Sequence, residues 1–321
     1  MAQDEPAPKP TVLVAGAGAI GGFYAAVLAR QGCDVDVIMR SDHELVSARG
    51  ITIDSATLGD LSFRPRQVLR SAAECRMPPD YLLVCTKVLG SLDPVAMIRP
   101  AVGSHTVIVL IQNGVEIERP YTEAFPDNEL LSSLAFVAVS RVAPGEVRHK
   151  AYGHLVLGSF PSGVSEAARR LAAMFEAGGI NCTLSDDVVT ARWEKCVWNA
   201  AFNPASVCGG GLDTAAMLAS EEGEAIIRRA MNEVCATAAA CGHPQREGLI
   251  DDHIAGTRRM PPYKTSMALD FEYGREMEVE AILGNVVRAA RREQVSAPTL
   301  ETLYGLLQMI GAARDAGAGR G

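Results

Sequence analysis

The stretch Thr11–Gly32, TVLVAGAGAIGGFYAAVLARQG, decides how the rest of the chain is read. Val12, Leu13 and Val14 form an apolar run of the kind that makes a buried parallel strand. The run breaks at Gly16-Ala17-Gly18-Ala19-Ile20-Gly21, after which Phe23, Val27 and Leu28 recur at helical spacing. A GxGxxG run carries weight as a dinucleotide fingerprint only between a strand and a helix, and both flank it here. Gly16 permits the tight turn, Gly18 lets the backbone approach a pyrophosphate, and Gly21 lets helix and strand pack closely. The helix start at Ala19 and Ile20 offers free N–H groups and a partial positive charge to the phosphates. Taken alone, the hexapeptide would also suit a plain glycine-rich connection; its flanks favour the dinucleotide.

Working outward, the chain of 321 residues suits two domains better than one core. A hydrophobic content of 48% and a charged content of 21% describe a globular protein. No apolar run reaches the ~18 residues of a membrane span. The net charge of −8 argues against a nucleic-acid surface, which needs a basic stripe. It leaves room for a small anionic substrate, for which one local cation suffices. Eight cysteines show no CxxC pair and no Cys/His ligand spacing, so they read as buried free thiols, Cys85 within YLLVC among them. Residues 1–10 are polar and proline-rich with no signal-peptide core; they read as a disordered start, and the protein as cytoplasmic. Gly, Ala and Arg dominate the last residues, and 313–321 reads as a frayed end.

After the first helix, Asp34–Met39 alternates as a second strand, and Arg40 stands at its end. An acidic residue there would bond the ribose 2′-hydroxyl, whereas an arginine accommodates a 2′-phosphate, so Arg40 favours NADP over NAD. Further strand-like pieces at 51–53, 81–85 and 106–111 alternate with helical stretches around 42–48 and 90–98, the doubly wound pattern. Segments near 130–139, 146–150 and 154–158 read as separate strands, followed by a helix at 164–177 and a strand at 180–184. From Asp186 strand signals nearly vanish, and helical periodicity marks 187–202, 221–241, 275–292 and 298–312. The expected division is a dinucleotide-binding domain over 11–185 and a helical domain over 186–312.

Two loops follow strand ends in the first domain: Thr86-Lys87, and Gln112-Asn113-Gly114. Ligands of open α/β sheets bind beyond such ends, which makes Lys87 and Asn113 candidates. In ARWEKCVWNAAFNPASV (191–207), Lys195, Asn199 and Asn203 recur every four residues and form one polar stripe on an otherwise apolar helix. Pro204 is expected to end or bend that helix. In SMALDFEYGREMEVEAILG (266–284), Glu276, Glu278 and Glu280 alternate. On a helix from 275 the middle one points away from the other two, toward the core face. A buried carboxylate needs a cationic or hydrogen-bonding partner, for which Lys195 is a candidate; Glu276 and Glu280 read as a solvated face.

These pieces together resemble the ketopantoate reductase (2-dehydropantoate 2-reductase) family. The glycine turn, Arg40, Gln112-Asn113-Gly114, Trp193-x-Lys195-x-x-x-Asn199-x-x-x-Asn203-Pro204 and Ser266…Asp270…Gly274-Arg275…Glu278 carry the likeness over residues 11–312. The resemblance implies an α/β Rossmann-type dinucleotide-binding domain followed by an all-α domain, with the active site in a cleft between them. It implies Lys195 as catalytic lysine and Glu278 as its acidic partner. Asn113, Asn199, Asn203 and Ser266 would be substrate-side groups. Gly16, Gly18, Ala19, Ile20, Gly21, Arg40, Lys87 and Asn113 would line the cofactor, NADP(H).

The chemistry suits those residue types. Reduction of a 2-oxo acid needs hydride at the carbonyl carbon and a proton at the oxygen; the nicotinamide supplies the first and an ammonium can supply the second. The expected activity is therefore NADPH-dependent reduction of 2-dehydropantoate, toward pantothenate and coenzyme A. The expected partner is a small 2-oxo acid, with no nucleic acid, membrane or metal, and a homodimer is left open. Two rivals remain: a reductase of another 2-oxo acid, mandelate-type or branched, which the long loop before Ser266 would allow, and a non-catalytic NADP-binding sensor.

Overall fold

The computed structural model describes residues 9–318, which divide into two compact units. The first runs to Lys87 and takes in Leu92–Gln112 and Glu118–Val188. The second comprises Val88–Ser91, Asn113–Ile117 and the chain from Val189. One boundary near residue 185 therefore does not describe the division, because two short pieces earlier in the chain go with the helices. Most of the expected disordered start, residues 1–8, lies outside the described residues, as do 319–321.

In the first unit, β1 (Thr11–Ala15), α1 (Ala19–Arg30), β2 (Asp34–Ile38), α2 (His43–Arg49), β3 (Ile51–Ser55), β4 (Leu61–Phe63) and β5 (Val68–Leu69) come first. There follow β6 (Tyr81–Val84), α3 (Pro94–Ile98), β7 (Val107–Leu110), α4 (Arg119–Ala124), β8 (Leu130–Ala143), β9 (Glu146–Ser159), α5 (Glu166–Ala177) and β10 (Cys182–Leu184). Among the described residues the strands form one sheet in the order β4-β3-β9-β8-β7-β6-β1-β2-β5, with β10 beside β9. The run β5-β2-β1-β6-β7-β8 is parallel throughout. It has the 3-2-1-4-5-6 order of doubly wound dinucleotide-binding sheets, whose direction of winding reverses between the first and fourth strands, here β1 and β6. Every residue of β6 is buried, as are four of the five in β1, because helices cover both faces of such strands. Phe23, Tyr24, Val27 and Leu28 bury α1 against that sheet.

The three segments expected as separate strands between 130 and 158 are one long antiparallel hairpin, β8 and β9, of 14 residues each. Val137 pairs with Tyr152 and Phe136 with His154, so Gly153 is left between them as a bulge. Tyr152 at φ 65° and Gly153 at φ 116° absorb the kink, and that break in alternation splits β9 in the sequence pattern.

The helical unit holds all but the first residue of α6 (Val188–Cys208), then α7 (Thr214–Met217), α8 (Glu221–Ala240), α9 (Leu249–Arg259) and α10 (Ser266–Glu272). A single π-helical turn, Glu280–Gly284, leads into α11 (Asn285–Arg292), and α12 (Pro298–Ala318) ends it. Its core joins Trp193, Val197 and Phe202 of α6 to Met231 of α8, Val286 of α11 and Leu300 of α12. Four expectations change here. Of the two outcomes expected at Pro204, an end or a bend, the end does not occur: helix α6 continues through it to Cys208. Ala200, Ala201, Phe202 and Val207 are buried around the proline, and that packing outweighs the ~3 kcal/mol an internal proline costs. The supposed long loop before Ser266 contains α9. The supposed frayed end is helical to Ala318, in keeping with the strong helix propensity of Ala and Arg. Finally, the chain from Arg275 to Glu278 is not helical, and the helix expected from 275 begins only at Val279.

All eight cysteines are free, but only Cys33, Cys182 and Cys196 are fully buried. Cys85 is half-buried because it sits just past β6, where the chain leaves the sheet. Among the described residues no helix is long and apolar enough to cross a membrane.

Candidate functional site

In the sheet unit, the glycine turn is tied to the end of β2. The Gly16 and Ala17 N–H groups both donate to the Ile38 carbonyl, at 3.2 and 3.4 Å. Gly16 has φ 91°, and a Cβ there would lie 2.6 Å from the Thr86 methyl group, just beyond β6. A Cβ on Gly21 would overlap the Gly16 carbonyl oxygen and press on Val14 at 3.0 Å. Gly18 meets nothing within 4 Å, and α1 starts beside it with no side-chain cap. One glycine is thus needed for the turn, one for packing, and the third faces open space. That is the shape a pyrophosphate requires, with uncapped helical N–H groups behind it. Ala19 and Ile20 form the first, half-buried turn of α1.

Arg40 lies exposed two residues past β2 and, with Gly16, Gly18, Ser41 and Arg141, borders a pocket of about 560 Å³. Lys87 is half-buried, three residues past β6. Gln112, by contrast, is spent on structure: its amide donates to the Thr86 carbonyl at 2.8 Å and accepts from the Tyr121 hydroxyl at 3.1 Å. Strands β6 and β7 are held side by side beyond their ends in this way.

The second cluster belongs wholly to the helical unit. Lys195, on α6, donates from Nζ to Asn113 Oδ1 at 3.0 Å. Asn113 Nδ2 in turn faces Glu278 Oε2 at 3.5 Å, and the Val88 N–H donates to Glu278 Oε1 at 3.0 Å. Asn113 therefore bridges the lysine and the carboxylate. Its loop is fixed on several sides. Arg192 Nη1 donates to the Gly114 carbonyl at 3.0 Å, and Val115 N–H donates to the Ala281 carbonyl at 3.3 Å. Asn285 Nδ2 donates to the Val115 carbonyl at 2.7 Å, and Arg292 donates to Glu116 at 2.6 Å. Gly114, at φ 101°, sits so close to the π-helical turn that a Cβ would overlap the Ala281 carbonyl.

Burial pushes the Lys195 ammonium down to about 8; the positive charge of Arg192 adds to the fall and Glu278 opposes it. Glu278 is itself buried, with 7% exposure, at the foot of the helical segment, where its carbonyl accepts from Ile282 N–H. Helical phase is not the reason, since residue 278 precedes the helix. The carboxylate turns inward because the Val88 and Asn113 donors await it. Glu276 is exposed and accepts from Ser91 Oγ at 2.6 Å. Glu280 is not a solvated residue: it is half-buried and held by Arg288, Tyr304 and Gln308 at 2.6 to 2.8 Å.

Asn199 lies half-buried one turn beyond Lys195. Asn203 is buried, and its amide is engaged within the fold: Nδ2 donates to the Asn199 carbonyl at 3.1 Å and Oδ1 accepts from Met267 N–H at 3.2 Å. It thereby holds α6 to the start of α10, where Ser266 is exposed and Thr265 caps the helix through Ala268 N–H. Among the described residues no three His, Cys, Asp or Glu side chains gather as a metal would need.

Sequence reasoning brought Lys195, Asn113 and Glu278 into one list, and the structure brings them into one hydrogen-bonded cluster. It missed Arg192, although a cation three residues before Lys195 on an apolar helix is a legible signal. The Val88 N–H leaves no trace in sequence. A half-buried ammonium poised near neutrality, steadied by an amide and a carboxylate, can polarise a carbonyl and deliver a proton to its oxygen.

Comparison with known proteins agrees. Residues 12–162 match the family model for ketopantoate reductase PanE/ApbA, and residues 187–311 match that for its C-terminal part. A solved 2-dehydropantoate 2-reductase from Methylococcus capsulatus is 53% identical, with a TM-score of 0.90 over 95% of this chain and 97% of its own. The 2-dehydropantoate 2-reductase of Mesorhizobium japonicum is 30% identical over 94% of this chain and 98% of its own. A D-mandelate dehydrogenase solved with NADH and anilino(oxo)acetate shares the fold, at 19% identity and a TM-score of 0.86 over 95% of this chain and 99% of its own. With both halves of the chain matched and relatives aligned over nearly its full length, the chain belongs to the ketopantoate reductase family.

Proposed function

We propose that this protein reduces 2-dehydropantoate to pantoate with NADPH, a step toward pantothenate and coenzyme A. The observation that carries this reading is the cluster in which Asn113 bridges Lys195 and Glu278 while burial holds the lysine near neutrality. The names of the Methylococcus and Mesorhizobium relatives support the substrate, and Arg40 supports the phosphorylated cofactor. Gly16, Gly18, Gly21 and the first turn of α1 would hold the pyrophosphate, with Lys87 further along the cofactor. The dinucleotide, when bound, supplies the hydride.

The chain's own residues do the rest. The Lys195 ammonium polarises the 2-oxo carbonyl, stabilises the negative charge growing on its oxygen and gives that oxygen a proton. Asn113 and Glu278 hold the ammonium in place, since a general acid must lie within hydrogen-bond reach of its target. Asn199 and Ser266 offer donors to the substrate carboxylate and hydroxyl. Asn203 acts indirectly, by fixing the start of α10 that presents Ser266.

The test is a substrate panel followed by loss of NADPH absorbance: 2-dehydropantoate, branched 2-oxo acids and phenylglyoxylate, the oxo acid of mandelate. The expected result is the highest kcat/KM with 2-dehydropantoate. A higher value with phenylglyoxylate would reassign the substrate. Tight NADPH binding without turnover of any member would make the protein a sensor rather than an enzyme.

A further inference from the structure

We propose that Arg141, near the far end of β8, is a second guanidinium for the 2′-phosphate of the dinucleotide, acting beside Arg40. This rests on the NADPH reading above and extends it to a residue on a different element. Both arginines border the same pocket as Gly16 and Gly18. Arg40 lies two residues past β2, whereas Arg141 is about a hundred residues away in the chain and reaches the pocket only through the β8–β9 hairpin.

The approach is held in place. Arg141 Nη1 donates to Asp42 Oδ2 at 2.9 Å and to Ser41 Oγ at 3.2 Å. The Asp42 carboxylate is buried and also accepts from Gly145 N–H, in the hairpin turn, at 3.2 Å. One carboxylate in the loop after Arg40 thus ties down the end of the hairpin that carries Arg141. Both of the Arg141 bonds leave from Nη1, so the Nε and Nη2 hydrogens are not spent on them, and the side chain is 48% exposed. Five donors in a planar fork suit a guanidinium to a phosphate while one edge stays on a carboxylate.

The charges suit the task. A phosphate monoester carries about −1.5 to −2 near neutral pH. Arg40 alone leaves part of that uncompensated. Arg141 adds a second cation whose own partner, Asp42, is buried behind it. A dinucleotide with a free 2′-hydroxyl would gain little from either arginine, so the pair acts on selectivity more than on general affinity.

The experiment is a set of binding titrations on the full chain, by nicotinamide fluorescence and calorimetry, with NADPH, NADH and adenosine 2′,5′-bisphosphate as ligands. The proteins are the unmodified chain, Arg141→Ala, Arg141→Lys and Arg40→Ala. Arg141→Ala is expected to weaken NADPH and the bisphosphate about tenfold or more, the scale of a lost charge-assisted bond, and to leave NADH within about twofold. Arg141→Lys keeps a cation against Asp42 but loses the fork, and is expected to fall between the two. If Arg141→Ala weakens all three ligands alike, or none, while Arg40→Ala abolishes the preference for NADPH, the cofactor reading stands. Arg141 is then only a tie between hairpin and loop. If the unmodified chain binds NADH as tightly as NADPH, the cofactor reading itself fails and this proposal falls with it.

Discussion

Lys195 shows how much one residue depends on its neighbours. An ordinary surface lysine would hold its proton far above neutral pH and be a poor acid. Burial and Arg192 bring this one to about 8, close to the operating range where a general acid is most effective. The ammonium is the working form, so reduction is expected to fall about tenfold per pH unit above that value, and the basic limb of kcat/KM should be centred near 8. Arg192→Met removes a positive charge that lowers the lysine, so the limb should move to higher pH; Lys195→Ala should abolish it along with about a hundredfold or more of kcat. A basic limb that persists in Lys195→Ala would assign the proton to another group. The glutamates separate on the same logic. Glu278→Gln should cost tens-fold in kcat, because it discharges the buried partner of the cluster, whereas the exposed Glu276→Gln should change little. Kinetics on both variants, with melting curves to exclude unfolding, decide this; equal losses would remove Glu278 from the site. At this scale Lys195 was legible, because a lysine and two amides every four residues are expensive on an otherwise apolar helix. The bridging role of Asn113 was not, since it depends on a contact across 82 residues of chain.

Among elements, the strand–turn–helix of β1 and α1 was readable because every level agreed: an apolar strand, glycines at the right intervals and a helical repeat. Its glycines now make different predictions. A Cβ on Gly21 would overlap a backbone carbonyl, so Gly21→Ala should destabilise the protein by more than about 1 kcal/mol. Gly18 faces open space at a φ of −78°, so Gly18→Ala should stay within about 0.5 kcal/mol in stability. It should nevertheless weaken dinucleotide binding, because the added methyl group occupies the side from which phosphates approach. Denaturant titration and NADPH titration on both variants test the pair; a Gly18→Ala protein that binds normally would deny that the turn cradles a phosphate. Other elements left weak traces. Strands β4 and β5 and helices α4 and α7 are too short for periodicity to register. The Gly153 bulge divided one strand into two. Glu278 was expected to be partly buried, and it is buried, but the helical-phase argument that placed it there was mistaken: the segment is not helical until Val279, and specific donors draw the carboxylate inward.

At the scale of the whole molecule, the change from mixed to purely helical periodicity near residue 185 is visible in sequence because it is a local property. Membership of Val88–Ser91 and Asn113–Ile117 in the helical unit is not, since it depends on partners far along the chain. The consequence is physical. A fragment cut at 189 would leave Arg192 without the Gly114 carbonyl and Glu278 without the Val88 and Asn113 donors. Asn285 would lose the Val115 carbonyl and Arg292 would lose Glu116. Arg192 and Glu278 are buried, and a buried group that loses such partners costs about 1–3 kcal/mol, more when charged, a large fraction of the stability of a small domain. Val115, a core residue of this unit, would go as well. The fragment 189–321 is therefore expected to keep helical far-ultraviolet dichroism but to lack a cooperative thermal transition. Its near-ultraviolet signal, from Trp193 and Trp198, should be largely lost. The full chain measured alongside should show both. A fragment that melts cooperatively, at the same temperature as the helical unit of the full chain, would mean that the 88–91 and 113–117 loops only decorate a core able to stand without them.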